Sequence, residues 1–255
     1  MILKELLEID EEKRLEFVKA NKEAILKAKK GQLKTCDAIY SAPRQTKTTA
    51  TKADGTGESG VYEIVGNSVG FLDSHQDVSM RGSFDKTVRE RGNQVPILIN
   101  HDHTPSAIFA RNMGVEVKEI AIAQLGYDMV GTTQVVSAKI APVYDAHMAT
   151  LYANGEVKQH SIGLKYVKIE LAMNDESDNE AFANWNKYLP EVINRSDAEK
   201  LGYFFAVKEQ QLFEISAVVF GSNQYTPTLS LQNEPQKALV EWKPIDWKAK
   251  FLSIN

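Results

Sequence analysis

The pattern of hydrophobic and polar positions divides the chain into a charged beginning and a strand-rich remainder. Residues 1–30 carry charges throughout and no Pro or Gly, with only a thin apolar stripe through Leu15, Val18 and Ile25. A helix with one weakly apolar face is typical of a peripheral arm rather than of a core helix. The pattern therefore predicts an N-terminal helical arm over residues 1–40.

The next residues predict a linker followed by the main domain. Residues 41–60 are rich in Thr, Ser, Gly and Lys and poor in apolar residues, which indicates a flexible linker. The domain is expected to span residues 61–232. Up to about Val136 it shows short apolar or alternating runs separated by Gly, Asn and Asp, a pattern typical of strands. Short helices are predicted over residues 84–91 and after Pro142, whose ring suits a first helical turn.

The second half of the domain contains two longer strands separated by an insertion. The run VKQHSIGLKYVKIEL predicts a long strand, and the very apolar LFEISAVVF predicts a buried one. Between them, the polar residues 174–200 predict a helix that Pro190 kinks or divides. The tail over residues 233–255 carries Trp242 and Trp247 and is expected to pack on the core. The order of elements favours an α+β fold, mainly β, as a closed or strongly curved β-barrel flanked by helices.

Composition and charge narrow the classes of function. The formal net charge is −4, and no basic cluster is interleaved with aromatic residues, which disfavours nucleic-acid binding. Cys36 is the only cysteine, so we expect neither an intramolecular disulfide nor a Cys-based zinc site, as suits a reducing compartment. The N-terminal residues lack an apolar run long enough for a signal peptide or a membrane span. We therefore expect no membrane partner and a location in the cytoplasm of a host cell.

Ser161, near the start of the long strand, is a candidate nucleophile. A serine nucleophile needs a base that takes its proton. His160 is its sequence neighbour, but adjacent side chains of a strand point to opposite faces, so His160 is a poor partner. Gly163 shares the face of Ser161 and would let a substrate backbone approach. A lone serine in a strand is more often structural than catalytic, so Ser161 alone establishes no activity.

His101 and Glu214 are the candidates that could activate this serine. His101 follows the buried-looking strand VPILIN, where a side chain can be aimed, although its position alone favours a solvated loop histidine. Glu214 lies within LFEISAVVF, where a carboxylate needs a partner that stabilises its charge. That partner is an imidazole N–H in one interpretation and an Arg or Lys in another. A third interpretation puts Glu214 on the solvent face of a half-exposed strand.

A metal site is the rival use of these histidines. His101, Asp102 and His103, with Asp73, His75 and Asp77, offer nitrogen and oxygen ligands at short spacing. On an extended chain His101 and His103 point to one side, but no third ligand is established for them. We therefore predict neither a metal nor another cofactor. A metal-dependent hydrolase that uses His101 and His103 stays as the less favoured alternative.

Four short blocks follow one another along the chain between about Val69 and Tyr225. They are VGFLDSHQDVSMRGSFDKTVRE, VPILINHD, VKQHSIGLKYV and LFEISAVVFGSNQYT. In this order they resemble the blocks of the tailed-phage prohead maturation proteases, which are distant relatives of the herpesvirus assemblins. Each block is unspecific by itself, but four in the family's order are hard to obtain by chance. The resemblance implies an assemblin-like barrel.

The same resemblance implies a role for each candidate residue. Ser161 would be the nucleophile, His101 the general base, and Glu214 the group that orients the histidine. Related assemblins use a second histidine as the third member. His160 and His147 are available here, but neither lies in the block that contains Glu-Ile-Ser.

The implied function is a serine endopeptidase of prohead maturation. Its substrates would be the major capsid protein with its scaffold segment and the protease itself, inside the immature procapsid in the host bacterial cytoplasm. A homodimer is a further implied partner. The arm and linker fit a segment removed by autoprocessing between Lys30 and Gly60, and the insertion over residues 174–200 is expected to cover the substrate groove or contact another capsid component. The non-enzymatic alternative is an inactive capsid-assembly or scaffold protein of the same fold.

Overall fold

The chain begins with two helices and continues as strands interrupted by short helices. The structure is a computed structural model that describes residues 2–31 and 60–229, so most of the predicted linker and the whole predicted tail lie outside the described residues. The helices are α1 (Ile2–Glu8), α2 (Glu11–Gly31), α3 (Asp85–Arg91), α4 (Ala146–Ala153), α5 (Asn179–Tyr188) and α6 (Arg195–Leu201). None of these helices combines the length and the apolarity needed to cross a bilayer. The strands are β1 (Tyr62–Ser68), β2 (Asp77–Ser79), β3 (Ile97–Ile99), β4 (Ile108–Ala121), β5 (Thr132–Ala141), β6 (Gln159–Met173), β7 (Tyr203–Val218) and β8 (Thr228–Leu229).

The eight described strands form one sheet whose centre is the antiparallel pair β6–β7. This pairing runs along the whole of β6, from Gln159 to Met173. Strands β2 and β3 pair in parallel with β7, and β4, β5, β1 and β8 follow β3 as antiparallel neighbours. The sheet folds back on itself, because a Cβ built at Gly66 of β1 would lie 3.1 Å from Ile162 Cγ2 of β6.

The predicted α+β fold that is mainly β is confirmed, but a closed barrel is not. Within the described residues, no ladder joins β8 or β1 to β6, so the curved sheet has a gap. The chain before β8 meets β6 at His160, whose N–H donates to the carbonyl oxygen of Thr226 at 3.1 Å. Within residues 60–229, β8 pairs with β1 and forms no ladder with β6, so the described strands make a strongly curved sheet rather than a closed barrel.

The predicted helices of the domain form, with one shift. Helix α3 falls inside the predicted range, and the insertion divides at Pro190 into α5 and α6, as a residue without a backbone N–H requires. Helix α4 begins at Ala146 rather than at Pro142. The reason is its cap, since the Asp145 carboxylate accepts a hydrogen bond from Met148 N at 2.9 Å.

Helix α2 packs in the main core, so the expectation of a peripheral arm is wrong for the described part of the arm. Val18 and Ile25 have no exposed surface and belong to the largest cluster of buried apolar residues. They lie seven positions apart and therefore on one face of the helix. Asn21, between them, leaves helical geometry (φ −122°, ψ 16°) and kinks the helix. A thin apolar stripe is thus enough to dock this helix.

The insertion after β6 lies against α2 rather than beside Ser161. It follows Met173, at the opposite end of β6 from Ser161. Two ion pairs join the arm to the insertion, Lys19 with Asp175 at 2.5 Å and Lys22 with Asp178 at 2.9 Å. The insertion therefore contacts the arm instead of covering the candidate nucleophile.

Replacing Ile25 by Ala tests whether α2 is part of the core. Loss of a fully buried isoleucine side chain should lower the free energy of unfolding by about 2–4 kcal/mol. Chemical denaturation of the full chain measures this change. The control Lys27→Ala, on the exposed face of the same helix, should change it by less than about 0.5 kcal/mol. Equal and small effects of both substitutions would show that the helix is peripheral after all.

Candidate active site

The register between β6 and β7 brings two of the predicted residues together. Ser161 is paired with Ser216, and Gly163 with Glu214. Side chains of directly paired residues lie on one face of a sheet, with Cβ atoms about 5 Å apart. Ser161 and Glu214 therefore share a face, although 53 residues separate them in the sequence.

His101 reaches the same face from the turn that follows β3. Strand β3 runs parallel to β7, and the turn is tied to β7 by two hydrogen bonds: Asn100 N donates to Ala217 O at 3.0 Å, and His101 N donates to Ser216 Oγ at 3.1 Å. Asn100 and His101 both adopt left-handed backbone conformations, with φ of 55° and 58°. Such conformations are uncommon outside glycine and occur where the surrounding structure imposes them, often at functional sites.

The imidazole of His101 forms a short contact with the carboxylate of Glu214. His101 Nδ1 lies 2.5 Å from Glu214 Oε1, and both side chains are almost completely buried. An ionised carboxylate only accepts hydrogen bonds, so Nδ1 carries the proton in the neutral ring. The other nitrogen, Nε2, then has the free lone pair that a general base needs.

Ser216 completes this arrangement, and the sequence interpretation missed it. Its hydroxyl donates to Glu214 Oε2 at 2.7 Å and accepts from His101 N at 3.1 Å. Both oxygens of the carboxylate therefore have a donor. The available signal was its position two residues after Glu214, which puts both side chains on the same face of a strand.

His101 Nε2 is buried and has no hydrogen-bond partner among the described residues. Ser161, which is 6% exposed, lies on the same face, but no hydrogen bond joins its hydroxyl to Nε2 in this structure. Catalytic hydrogen bonds are often long in enzymes without substrate and tighten when substrate binds. The three predicted residues are thus assembled on one face, with the serine–histidine contact still open.

Gly163 makes room for Glu214 rather than for a substrate. A Cβ at this position would come within 2.9 Å of Glu214 Cγ and Cδ, and closer still to Oε1. The expectation that a substrate backbone fills this space is therefore wrong. The glycine of the Ser-Ile-Gly block has a structural reason, since only a residue without a side chain lets the carboxylate lie across β6.

His160 lies on the opposite face of β6, as strand geometry predicts. It is completely buried, with Nε2 2.9 Å from the Tyr152 hydroxyl and Nδ1 3.2 Å from Thr226 O. Burial lowers the pKa of His160 to about 4, against a weaker opposing effect of the backbone of Thr226. His160 is therefore a neutral core residue and does not contact His101.

The histidines that suggested a metal site are used differently. His101 Nδ1 is occupied by Glu214, and His103 is exposed. In the described ranges, 2–31 and 60–229, no group of three or more His, Cys, Asp or Glu side chains is arranged to hold a metal ion. His147, the other alternative third member, is exposed on α4.

The buried His160 should make stability depend on pH. Its pKa of about 4 in the folded protein lies below the unfolded value of about 6.5, so the unfolded chain binds more protons between these values. The free energy of unfolding contributed by this group is complete above pH 6.5 and should fall by about 3 kcal/mol as the pH drops to 4. Denaturation across this range should show a shallower fall for His160→Gln, whereas the exposed control His147→Gln should keep the fall of the unsubstituted protein. An identical profile for His160→Gln would refute this assignment.

The sequence matches a known family of proteins. A sequence model of the family described as caudovirus prohead serine protease matches residues 45–237, which include Ser161, His101 and Glu214. No curated protein and no solved structure gives a significant match. Since the match covers more than half of the chain, the chain belongs to the caudovirus prohead serine protease family.

Proposed function

We propose that this serine endopeptidase uses Ser161 as nucleophile and His101 as general base. Glu214 orients the histidine and stabilises the positive charge that its ring acquires. The observation that carries the proposal is the 2.5 Å contact between His101 Nδ1 and Glu214 Oε1. This contact leaves Nε2 as the basic nitrogen on the face that Ser161 shares. The family supplies the reaction class, since its members are prohead serine proteases.

The reaction proceeds by acyl transfer. Ser161 Oγ attacks the carbonyl carbon of the scissile peptide, and His101 Nε2 accepts the hydroxyl proton. The imidazolium then gives this proton to the leaving amine as the C–N bond breaks. Water attacks the resulting ester with the same assistance and regenerates the serine. Throughout, the Glu214 carboxylate holds the ring orientation and stabilises the positive imidazolium.

The proposed substrates are the major capsid protein, through its scaffold segment, and the protease itself. The supporting argument is the family, whose name refers to the prohead, the immature shell of the phage. The site of action is accordingly the interior of the procapsid, and a homodimer is the proposed form for self-cleavage. The proposed self-cleavage lies between Lys30 and Gly60. Mass spectrometry of the termini of both proteins after co-expression tests the two proposed cleavages, because each one creates a new terminus that is absent with Ser161→Ala.

The two serines that face each other across β6 and β7 provide a sharp test. Ser161→Ala should reduce cleavage of the capsid protein at least about 10⁴-fold, because the nucleophile is lost. Ser216→Ala removes two supporting hydrogen bonds and should reduce it only about 10- to 100-fold. The rates are compared in co-expression or with purified proteins of equal thermal stability. Unchanged cleavage by Ser161→Ala would disprove the assignment, and the reversed order would make Ser216 the nucleophile.

Glu214→Gln tests the third member. A neutral amide no longer stabilises the imidazolium and permits the wrong tautomer, so kcat should fall about 10²- to 10⁴-fold with little change in KM. Glu209→Gln is the matched control on the same strand, where the carboxylate pairs with Lys168 and Lys86 outside the site. It should leave kcat within about twofold, which corresponds to a change in activation free energy of well under about 1 kcal/mol. An undiminished kcat for Glu214→Gln would exclude this residue from the mechanism.

A further inference from the structure

Lys29, near the end of α2, is buried in the domain rather than exposed like the neighbouring lysines. Its Nζ lies 2.6 Å from Asp77 Oδ1 and donates to the carbonyl oxygen of His75 at 3.1 Å. It also lies 4.2 Å from the centre of the Phe205 ring, on β7. The side chains of Lys29 and Asp77 are only 6% and 4% exposed. A buried lysine needs such partners, because water no longer solvates its charge.

The partner of Lys29 is also joined to the catalytic strand. Asp77 Oδ2 accepts a hydrogen bond from the Tyr166 hydroxyl at 2.6 Å, and Tyr166 lies on β6 five residues after Ser161. One carboxylate therefore connects the arm to β2, which holds Asp77, and to β6. If α2 left, Asp77 would lose its 2.6 Å ion pair with Lys29.

The rest of α2 complements the same surface. The apolar side chains of Val18 and Ile25 fill the main core. The polar face of the helix meets charges of opposite sign on the insertion. These ion pairs are Lys19–Asp175 at 2.5 Å, Lys22–Asp178 at 2.9 Å and Glu11–Lys200 at 3.3 Å. Apolar contact, a buried ion pair and surface charges thus all bind one helix to one surface.

We infer that the surface formed by β2, β6 and the insertion over residues 174–200 is a binding site for α2 that persists without a covalent link. A cut between residues 31 and 60 leaves the helix bound, so the processed protease is a complex of two fragments and the arm is not released. The inference depends on the proposed function only for the origin of the cut. It also gives the insertion a role, which is to hold the arm.

The test separates the retention of the arm from self-cleavage. A recognition sequence for an unrelated, sequence-specific protease is inserted between residues 50 and 51 of the full chain carrying Ser161→Ala, and the purified protein is cut there. Native gel filtration followed by mass spectrometry should find both fragments in one peak at micromolar concentration. Elution of a folded large fragment free of the small one would overturn the inference. Self-cleavage is read separately, from the intact mass of the unsubstituted enzyme, so either proposal can fail alone.

Lys29→Met and Lys27→Met, made in the same cleavable chain, identify the interaction that holds the helix. Lys29→Met removes the buried ion pair with Asp77 and the hydrogen bond to His75 O, and should weaken retention of the small fragment at least 100-fold. Lys27 is exposed, so Lys27→Met should leave retention unchanged. Equal retention in both variants would remove Lys29 from the explanation. If the Lys29→Met protein does not fold, the cleaved chain with the unsubstituted α2 still shows whether the helix remains bound.

Discussion

The antiparallel pairing of β6 with β7 is the constraint on which the rest of this structure depends. It is the longest ladder in the described sheet, and both strands are buried along most of their length. At one end it pairs Ser161 with Ser216 and Gly163 with Glu214. Further along, Tyr166 reaches Asp77, the partner of the arm. A slip by one residue would turn every one of these side chains to the other face. The ladder therefore sets the geometry of the site and the docking of α2 together.

The site also shows how a carboxylate can lie within an apolar strand. An isolated buried charge costs several kcal/mol, and Glu214 offsets this cost with a partner on each oxygen, His101 on Oε1 and Ser216 on Oε2. Gly163 supplies the space, because any side chain there would overlap the carboxylate. The environment that stabilises the charge is also the one that orients the imidazole. The same contacts therefore stabilise the folded strand around Glu214 and orient the His101 ring.

Much of this arrangement can be predicted from the sequence, and the features that cannot be predicted have identifiable physical reasons. Alternating runs predict the strands, and the strand period of two correctly separates Ser161 from His160. Ser216 and the true reason for Gly163 were not predicted, because both depend on the register between β6 and β7, which no single strand contains. Lys29 was not predicted either, since a buried lysine in a charged helix has the same local pattern as an exposed one. The closed barrel is not confirmed within the described residues, because β8 pairs with β1 and not with β6, and the pattern of one strand does not determine which strand it pairs with.

The two serines of the pair Ser161–Ser216 show why position alone does not make a nucleophile. The hydroxyl of Ser216 donates its proton to Glu214 and accepts from His101 N, so attack by this oxygen would break both supports of the base. Ser161 lies across from it on β6 and forms neither of these bonds. In the proposed mechanism its hydroxyl would therefore react without dismantling the histidine–carboxylate pair, and His101 reaches the same face of the sheet. The left-handed turn at Asn100 and His101 is held on β7 by hydrogen bonds from Asn100 N to Ala217 O and from His101 N to Ser216 Oγ, so in the proposed mechanism the approach of the Ser161 hydroxyl to Nε2 would come from the side chains rather than from this turn.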